Sequence, residues 1–441
     1  MAAQDTICAL ASGPPPSAIA VVRVSGPAVR EVCDTLLACG LPEPRRAVLT
    51  RIVDSSGAEV DEGLVLFSPA PHSYTGEDTL ELYLHGGAAV IAHALAALTS
   101  LPGVRLAEAG EFTRRAFEAG RLDLTEAEGV ADLIEAETLA QKAQALRQVS
   151  GGLSETYNKW RDELTGLLAL VEVMVDFPDE GDVSPQAADP IRAKIGDLMY
   201  EVETALGDGG IGERIRDGFR VAIIGPPNAG KSSILNRLAR REAAIVTDIA
   251  GTTRDVVEVR LVLGGQVVWL ADTAGLRETE DVVEAEGVRR AKRAAAEADL
   301  RIHVVDFEDP SPPPGPVEPQ DIVVFNKSDL RAPALAPDGA LPLSARTGEG
   351  MEKLESWIAG FVSQRAASVE APVITRARHR EKLSRGLDAL KAADEALGQE
   401  LGFELVAEDL RLAIREMQSI VGEIGVEDVL GAVFSRFCIG K

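Results

Sequence analysis

The stretch RVAIIGPPNAGKSS, residues 220–233, constrains the fold of this chain most, because it joins an apolar strand to a glycine-rich loop and a helix. Residues 225–232 match the pattern G-x-x-x-x-G-K-S, whose glycines let backbone N–H groups curl around phosphates. Lys231 would place a positive charge on the outer phosphate oxygens, and the Ser232 hydroxyl can coordinate magnesium. The order strand, loop, helix predicts an α/β domain that binds a nucleoside triphosphate.

A second motif, NKSD from Asn326 to Asp329, follows another apolar strand and favours guanine over adenine. Asp329 can accept hydrogen bonds from N1–H and N2–H of guanine, whereas adenine would leave this carboxylate unpaired. The segment SAR, residues 344–346, is expected to wrap the base. The segment DTAG, residues 272–275, ends the strand VVWLAD, where a second carboxylate on the magnesium side and a glycine that senses the γ-phosphate belong. These motifs predict a GTP-hydrolysing domain.

The residues that would drive hydrolysis are less ordinary. Ras-like enzymes orient the attacking water with a Gln just after the switch glycine, but here Leu276 follows Gly275 and has no polar atom. Arg254 and Arg277 are candidates for an arginine finger, with a surface or switch role as the alternative, and a bound cation could replace the finger. Acidic residues downstream could position the water or form a solvated face, namely Glu278, Glu280, Asp281, Glu284 and Glu286.

The regions outside this domain differ from it in sequence pattern. Residues 1–118 alternate apolar and polar positions between Gly and Ser turns, which predicts a compact α+β unit. From Leu122 onward, large side chains recur every three or four residues, which predicts one long amphipathic helix of an intrachain bundle rather than a coiled coil. The recurring positions are Leu146, Val149, Leu153, Tyr157, Trp160, Leu164, Leu167 and Val171.

Helical spacing returns after residue 370, at Leu383, Leu387, Leu390 and Leu397, so the helical domain is predicted to be split in sequence. Insertion of a domain into a surface loop is tolerated when the termini of the insert lie close together. The predicted fold class is multidomain: an α+β N-terminal domain, an α-helical bundle and an inserted α/β P-loop G domain. The predicted boundaries are 1–118 for the first, 119–217 and 364–441 for the two helical parts, and 218–363 for the G domain.

Composition restricts the setting in which this chain works. A formal net charge of −25 argues against broad nucleic-acid binding over the whole surface, so any RNA contact must be local. The four cysteines form no CxxC pair or disulfide framework, and Cys8, Cys33 and Cys39 are expected to be small core hydrophobes. With no signal peptide and no stretch near eighteen apolar residues, we expect a cytoplasmic protein.

The chain ends with FSRFCIGK, in which Cys438 has the spacing of a prenylation box. Such a box does not end in Lys, as this one does at Lys441, and no polybasic run precedes it to supply a second membrane signal. Cys438 therefore needs another explanation.

The motifs quoted above, with TDIAGTTRD, DTAGLRETEDVVEAEG and the terminal FCIGK, together resemble the MnmE (TrmE) family of tRNA-modification GTPases along essentially the whole chain. In that family the P-loop Asn helps to bind a potassium ion beside the phosphates. The resemblance implies that the K⁺ ligands are Asn228, Thr247, Ile249 and Thr252. A monovalent cation there could stabilise developing charge as an arginine finger would, and a loop that captures it when two G domains meet would couple hydrolysis to dimer closure.

The resemblance also assigns the remaining nucleotide-site roles. Thr253 would join Ser232 on Mg²⁺, and the water-positioning glutamate of the family aligns with Glu284, so the predicted catalytic residues are Glu284 and Lys231. The predicted GTP-binding residues are Asn228, Ala229, Gly230, Lys231, Ser232, Ser233, Thr247, Asp248, Ile249, Ala250, Gly251, Thr252, Thr253, Asp272, Thr273, Ala274, Gly275, Asn326, Lys327, Ser328, Asp329, Ser344, Ala345 and Arg346.

MnmE-like proteins bind 5-formyltetrahydrofolate or a related folate on the N-terminal domain. The resemblance places Arg23, Glu81, Arg121 and the terminal Lys441 at that pocket, where cations suit an acidic ligand and a carboxylate can accept from a pterin. The family usually has Lys where this chain has Arg121, which keeps the charge but changes a point donor into a planar fork. Cys438 would lie nearby, either as a reactive thiol or as a polar residue beside the pocket.

The resemblance implies a homodimeric, potassium-activated GTPase that works with the flavoprotein MnmG (GidA). Together they would add a carboxymethylaminomethyl or aminomethyl group to C5 of the tRNA wobble uridine, with folate as the one-carbon donor. Direct tRNA contact by this chain and contact mainly through MnmG both stay open. The rival classes are a ribosome-assembly GTPase, which would be expected to carry an RNA-binding module such as a KH domain, and a nonenzymatic nucleotide-controlled scaffold.

Overall fold

A computed structural model describes the chain over residues 5–176, 188–208, 210–241, 258–272, 293–306, 317–330, 339–368, 374–399, 401–424, 427–434, 437 and 440. The chain divides into two compact units. The first unit comprises residues 1–131, 147–176 and 407–441, and the second comprises residues 132–146 and 177–406. Both units contain helices from the predicted helical domain, so the domain boundaries drawn from the sequence remain predictions.

The first unit is built on a six-stranded sheet. Its strands are β1 (Thr6–Leu10), β2 (Ser17–Ser25), β3 (Val48–Val53), β4 (Glu59–Ser68), β5 (Thr79–Gly86) and β6 (Val104–Leu106). They lie in the order β3-β4-β5-β2-β1-β6, and the neighbours are antiparallel except β1 and β6. Because apolar and polar residues alternate along these strands, the sheet has one apolar face that must be covered.

Two helices cover that face, namely α1 (Val29–Leu36) and α2 (Ala88–Thr99). Val32 and Leu36 of α1 and Leu98 of α2 pack into one core with alternate residues of the strands. The opposite face carries Leu49 and Leu64, which pair across β3 and β4 and are 65% and 45% exposed. One face of the sheet is therefore a closed core, while the other presents apolar side chains outward.

The other helices of the first unit follow the sheet in sequence. They are α3 (Glu111–Glu118), α4 (Leu124–Glu135), α6 (Gly152–Asp176), α12 (Phe403–Val421) and α13 (Glu427–Phe434), of which α4 and α12 extend a few residues into the second unit. Buried Phe434 and Phe437 pack with Phe117 of α3 and Ala127 of α4. The C-terminal end of the chain is thus fixed to the first unit by aromatic packing.

The prediction of one long helix through Leu146 to Val171 was wrong. Helix α5 (Leu139–Val149) ends before Gly151, and α6 begins at Gly152. Gly151 has a φ of 86°, a left-handed conformation that an α-helix cannot continue through. The apolar spacing persists across the break, and only the Gly-Gly pair at 151–152 marks the turn in the sequence.

The second unit contains the other sheet. Its strands are β7 (Phe219–Ile224), β8 (Glu258–Leu263), β9 (Gln266–Asp272), β10 (Leu300–Asp306), β11 (Ile322–Asn326) and β12 (Leu341–Pro342). They lie in the order β12-β11-β10-β7-β9-β8, and the neighbours are parallel except β8 and β9. Parallel strands with crossing helices bring the carboxyl ends of β7, β9, β10 and β11 to one edge, where ligands of α/β proteins bind.

Helices complete the second unit. They are α5, α7 (Ala188–Leu206), α8 (Ile211–Asp217), α9 (Lys231–Arg241), α10 (Met351–Ala367) and α11 (Ala377–Gly398). Ile234 and Leu238 of α9, with Leu354 and Ile358 of α10, pack against the strands in one core. The predicted fold class, with an α+β N-terminal domain, a helical domain and a P-loop α/β domain, is confirmed.

The cysteines divide by their position in the fold. Cys8 and Cys33 are buried, as expected, and burial raises the pKa of Cys8 to about 11 and that of Cys33 to about 12. Cys39 is exposed, so its assignment to the core was wrong. It lies in the turn after α1, outside the apolar stripe that buries Cys33.

None of the helices in the described ranges combines the length and the apolar character that crossing a membrane requires.

Candidate functional site

The glycine-rich loop lies where the motif predicted, between the end of β7 and the start of α9 at Lys231. Gly225 packs so tightly on the next strand that an added Cβ would lie 2.3 Å from the carbonyl oxygen of Val304. Gly230 has a φ of 93°, and a Cβ there would lie 2.1 Å from Nδ2 of Asn326. Both positions therefore require glycine, because any side chain would push the loop off the edge of the sheet.

Lys231 is the buried cation of the loop. Its side chain crosses beneath the loop, and Nζ donates to the carbonyl oxygens of Gly225 and Pro226 at 3.0 Å each. Burial lowers its pKa, and the nearby Asp272 carboxylate works in the opposite direction. A compact ammonium with three donors, held by two carbonyl oxygens of the loop, is suited to binding phosphate oxygens as a point charge.

A pair of oxygen ligands lies next to this lysine. The hydroxyl of Ser232, at the start of α9, donates to Oδ2 of Asp272, at the end of β9. Oδ1 of Asp272 is buried and has no hydrogen-bond partner within the described part of the chain. A hydroxyl and a carboxylate with one oxygen unsatisfied form a hard oxygen donor set, which fits a magnesium ion completed by water and phosphate.

The base motif is held together by side chains from two loops. Asn326, buried at the end of β11, donates from Nδ2 to the carbonyl oxygen of Ala229 at 2.7 Å. Its Oδ1 accepts from the backbone N–H of Ala345 at 3.0 Å. Asn326 therefore links the phosphate-binding loop to residues 344–348, which we call the base loop. The sequence predicted both loops but not this connection.

Two side chains of the base loop bind the carboxylate of Asp329. Ser344 donates its hydroxyl hydrogen to Oδ1 at 2.6 Å, and Nη2 of the exposed Arg346 lies 2.6 Å from Oδ2. The Ser344 hydrogen bond, with the Arg346 charge, lowers the pKa of Asp329, so the carboxylate is ionised at neutral pH. An ionised acceptor facing the base loop is what recognition of the two guanine N–H groups requires.

Three other predicted contact residues flank this site. Lys327 has a φ of 65°, and its Nζ pairs with Oδ2 of Asp306 at the end of β10. The hydroxyl of Ser328 is buried. Ser233 lies on the first turn of α9 and lines a cavity of about 510 Å³ between that helix and the base loop.

Asn228, the predicted potassium ligand of the loop, is exposed and has a left-handed backbone with a φ of 65°. The remaining predicted residues of the two switch regions lie outside the described residues. These are Thr247, Asp248, Ile249, Ala250, Gly251, Thr252, Thr253, Thr273, Ala274, Gly275 and Glu284, together with the rival water-positioning acids and both arginine-finger candidates.

A second candidate site lies on the sheet of the first unit. Arg23 on β2 pairs with Glu81 on β5, with Nε and Nη2 donating to Oε1 at 3.0 and 2.9 Å. The other carboxylate oxygen accepts from the hydroxyl of Tyr83 at 2.8 Å. The Arg23 guanidinium lies 5.3 Å from the ring centroid of Tyr74 and 5.8 Å from that of Phe112. Phe112 is fully buried and supports the guanidinium from below, whereas Tyr74 is partly exposed, so an ion pair beside one accessible aromatic ring is the lining offered to a planar acidic ligand.

Two other members of the predicted folate set can be related to this cluster. Arg121 is exposed and packs its side chain beside Gly76, two residues from Tyr74. Cys438 and Lys441 lie outside the described residues, but Gly440 between them is described. An added Cβ on Gly440 would lie 2.0 Å from the carbonyl oxygen of Leu10, and the preceding residue, Ala9, pairs with Arg23.

Sequence reasoning missed several residues of these sites. Tyr74 and Phe112 contact Arg23, and no sequence motif predicted either contact. Tyr74 lies in the irregular segment SPAPHSYTGED, and Phe112 is spaced like a core residue of α3. Neither could be found by spacing, because a loop residue and a helix residue far from Arg23 in sequence are brought to it only by the fold.

Comparison with protein families covers nearly the whole chain. Residues 6–121 match the family described as "GTP-binding protein TrmE N-terminus", and residues 124–438 match the family described as "MnmE helical domain". The second match spans the region on both sides of the nucleotide site.

Several curated relatives match the full length of the chain. The "tRNA modification GTPase MnmE" of Hyphomonas neptunium is 75% identical over 441 residues, covering 100% of both chains. The protein of the same name from Caulobacter vibrioides is 52% identical over 451 residues, covering 99% of this chain and 100% of the relative. The one from Parvibaculum lavamentivorans is 51% identical over 450 residues, with the same coverage.

Proposed function

The chain belongs to the MnmE family of tRNA-modification GTPases, and from that membership we propose how its two sites work together. It is a GTP hydrolase that acts in tRNA modification. In our proposal, potassium-activated GTP hydrolysis in the G domain controls the installation of a carboxymethylaminomethyl or aminomethyl group at C5 of the wobble uridine. The one-carbon unit comes from a bound folate, and the flavoprotein MnmG is the partner in the cytoplasm.

In the G domain, the loop amides and Lys231 would bind the β- and γ-phosphates, and Ser232 and Asp272 would hold Mg²⁺ on the opposite side. The buried Oδ1 of Asp272, which has no hydrogen-bond partner among the described residues, supports this assignment. Magnesium, when bound, neutralises charge on the phosphate oxygens. Asp329 and the base loop would fix the guanine, so the γ-phosphate is held at one position relative to Lys231.

The hydrolytic step would rely on a cation and an acid rather than on a Gln and an arginine finger. Asn228 has an exposed side chain on a left-handed loop position, so its amide oxygen can serve as a K⁺ ligand. Thr247, Ile249 and Thr252 would complete the site. Thr253 would ligate Mg²⁺, and Glu284 would orient the attacking water.

At the second site, Arg23 and Arg121 would bind the acidic tail of a folate, and Glu81 would accept from its pterin N–H groups. The partly exposed ring of Tyr74 beside the Arg23 guanidinium supports a planar ligand at this place. A single observation carries this part of the proposal: Gly440 packs against the backbone of Leu10, one residue from the strand position that pairs with Arg23. Gly440, which lies between Cys438 and Lys441 in sequence, is thus next to the strand beside the cluster, and this supports a role of the tail there.

Deletion of residues 438–441 tests this proposal. We expect GTP hydrolysis to keep its wild-type rate, because the nucleotide site is built from residues 225–346 of the second unit, whereas wobble-uridine modification is lost. Mass spectrometry of tRNA nucleosides measures the second activity in a deletion strain complemented with each variant. Full modification by the truncated chain would rule out a role for the tail.

Cys438→Ser separates the two roles open to the thiol. If the thiolate is a nucleophile, the serine variant should bind folate and lose modification, because a hydroxyl is far less ionised at neutral pH. If the tail only closes the pocket, the serine variant should modify tRNA nearly normally, while removal of Lys441 weakens folate binding.

A further inference from the structure

The side chain of Arg237 caps the base loop. Arg237 lies on α9, two turns after Lys231, and is half-buried. Its Nη1 donates to the carbonyl oxygens of Arg346 at 3.0 Å and of Ala345 at 3.4 Å, and its Nη2 donates to that of Thr347 at 2.9 Å. One guanidinium therefore holds three consecutive carbonyl groups, using the planar fork that only arginine provides.

The backbone of the base loop approaches this guanidinium closely at Gly348. The residue has a φ of 93°, and an added Cβ would lie 2.3 Å from Nη2 of Arg237. A cavity of about 510 Å³ opens between α9 and the base loop at the same place. Ser344 and Ala345 of the loop are buried, whereas Thr347 and Gly348 line this cavity, so the hydrogen bonds from Arg237 hold the side of the loop that faces open space.

The base loop holds the carboxylate of Asp329, the group proposed to recognise guanine. Ser344 donates to Asp329, and the N–H of Ala345 donates to Asn326. Thr347 in turn donates its N–H to the Ser344 hydroxyl at 3.1 Å. A shift of the three capped carbonyls would therefore move the hydrogen bonds that orient the Asp329 carboxylate.

We propose that Arg237 is a positioning residue for guanine specificity: it fixes the base loop from the phosphate-binding helix, so that Asp329 is held in the geometry that reads the base. The inference rests on the proposed role of Asp329. It assigns a function to a residue that lies outside the nucleotide-binding motifs. Through its side chain, Arg237 on α9 would also connect the phosphate-binding half of the site to the base-binding half.

The experiment compares the dissociation constants of GDP and IDP, measured by competition with a fluorescent GDP analogue in the full-length protein with Mg²⁺. Inosine lacks the N2 amino group, so the ratio of the two constants reports the contact between Asp329 and N2–H. The variants are Arg237→Ala, Arg237→Lys, Arg240→Ala and Asp329→Ala. Arg240 lines the same cavity and, among the described residues, makes no hydrogen bond to the base loop, so its variant controls for the loss of one positive charge.

We expect Arg237→Ala to weaken GDP binding on the order of tenfold, since hydrogen bonds to a charged group are lost. The dissociation constant of IDP divided by that of GDP should fall toward the ratio measured for Asp329→Ala. Arg237→Lys should give an intermediate ratio, because an ammonium can reach one carbonyl but not three. Arg240→Ala should keep the wild-type ratio. Since a base-specific ratio is independent of the fraction folded, a purely structural role for Arg237 would leave it unchanged.

Two outcomes would overturn the proposal, and they are distinguishable. A lowered ratio in Asp329→Ala with a wild-type ratio in both Arg237 variants would reject the positioning role alone. A wild-type ratio in Asp329→Ala would reject base reading by Asp329, and the Arg237 inference with it. If Arg237→Ala does not fold, the Arg237→Lys variant decides between these outcomes.

Discussion

At the scale of single residues, the side chains of the nucleotide site are held by hydrogen bonds and ion pairs to other parts of the same site. These contacts do not depend on a ligand. Asn326 bonds the phosphate-binding loop and the base loop at once. Asp329 is oriented by Ser344 and Arg346, which also keep its pKa low. Such preorganisation is what allows a polar site to reject a base that leaves a buried group unpaired.

Asp329→Asn should weaken guanine binding and improve binding of xanthine nucleotides, because an amide can donate to O2 of xanthine where the carboxylate can only accept. Substituting one of two guanine hydrogen bonds to a charged group should raise the dissociation constant of GDP by about 10- to 100-fold. Competition of GDP and XDP for the same protein measures both changes. Unchanged preference for guanine would remove Asp329 from the base site.

At the scale of elements, the glycine-rich loop and the end of β11 fit together only because Gly230 has no side chain. The backbone at Gly230 is left-handed, and Nδ2 of Asn326 occupies the space where a Cβ would stand. Glycine is thus required twice, by conformation and by contact. The loop, the strand end and α9 form one structural unit around the phosphate site.

Gly230→Ala should therefore reduce the free energy of GDP binding strongly. The left-handed backbone of an alanine alone costs about 1 kcal/mol, and the expected loss is far larger. The added methyl group would force Asn326 away from the carbonyl of Ala229. Gly265→Ala is a matched control, since Gly265 also has a positive φ, of 73°, but open space around the Cβ position. Isothermal titration with GDP compares the two variants, and equal losses would show that contact with Asn326 is unimportant.

At the scale of the whole molecule, the open face of the first sheet bears on the proposed homodimer. Leu49 and Leu64 pair across β3 and β4, and Leu64 also pairs with Tyr83 on β5. Tyr83 in turn pairs with Val21 on β2, so the row crosses four strands of the sheet. Apolar side chains exposed in a contiguous row mark protein contact surfaces, and a second copy of the chain would cover them.

Leu64→Asp should shift the protein from dimer to monomer, because a charge would be buried without a partner at the interface. Light scattering coupled to size-exclusion chromatography measures the mass. Leu139→Asp provides the control, since Leu139 is 83% exposed but lies on α5 and not on the sheet. A dimer that persists in Leu64→Asp would move the proposed interface elsewhere.

Potassium dependence is also a property of the whole molecule in our proposal, because a loop captures the ion as two G domains meet. Hydrolysis should be much faster in potassium than in sodium at equal ionic strength, since the Asn228 site is expected to fit the larger ion. Steady-state phosphate release in the two salts tests this. Equal rates would reject the cation hypothesis and favour one of the arginine-finger candidates, and slow rates in both would favour the scaffold.

The sequence by itself determined the nucleotide class, the fold class and the position of the P-loop, because these follow from short motifs whose spacing is local. Strand, glycine loop and helix follow one another without interruption between Phe219 and Arg241. The break at Gly151 was hidden by an apolar period that runs through it, although the Gly-Gly pair at 151–152 is itself a turn signal. The sequence could not place Arg237 on the base loop or Tyr74 and Phe112 against Arg23. Those contacts join residues far apart in the chain, and only strand order, helix packing and loop closure decided them.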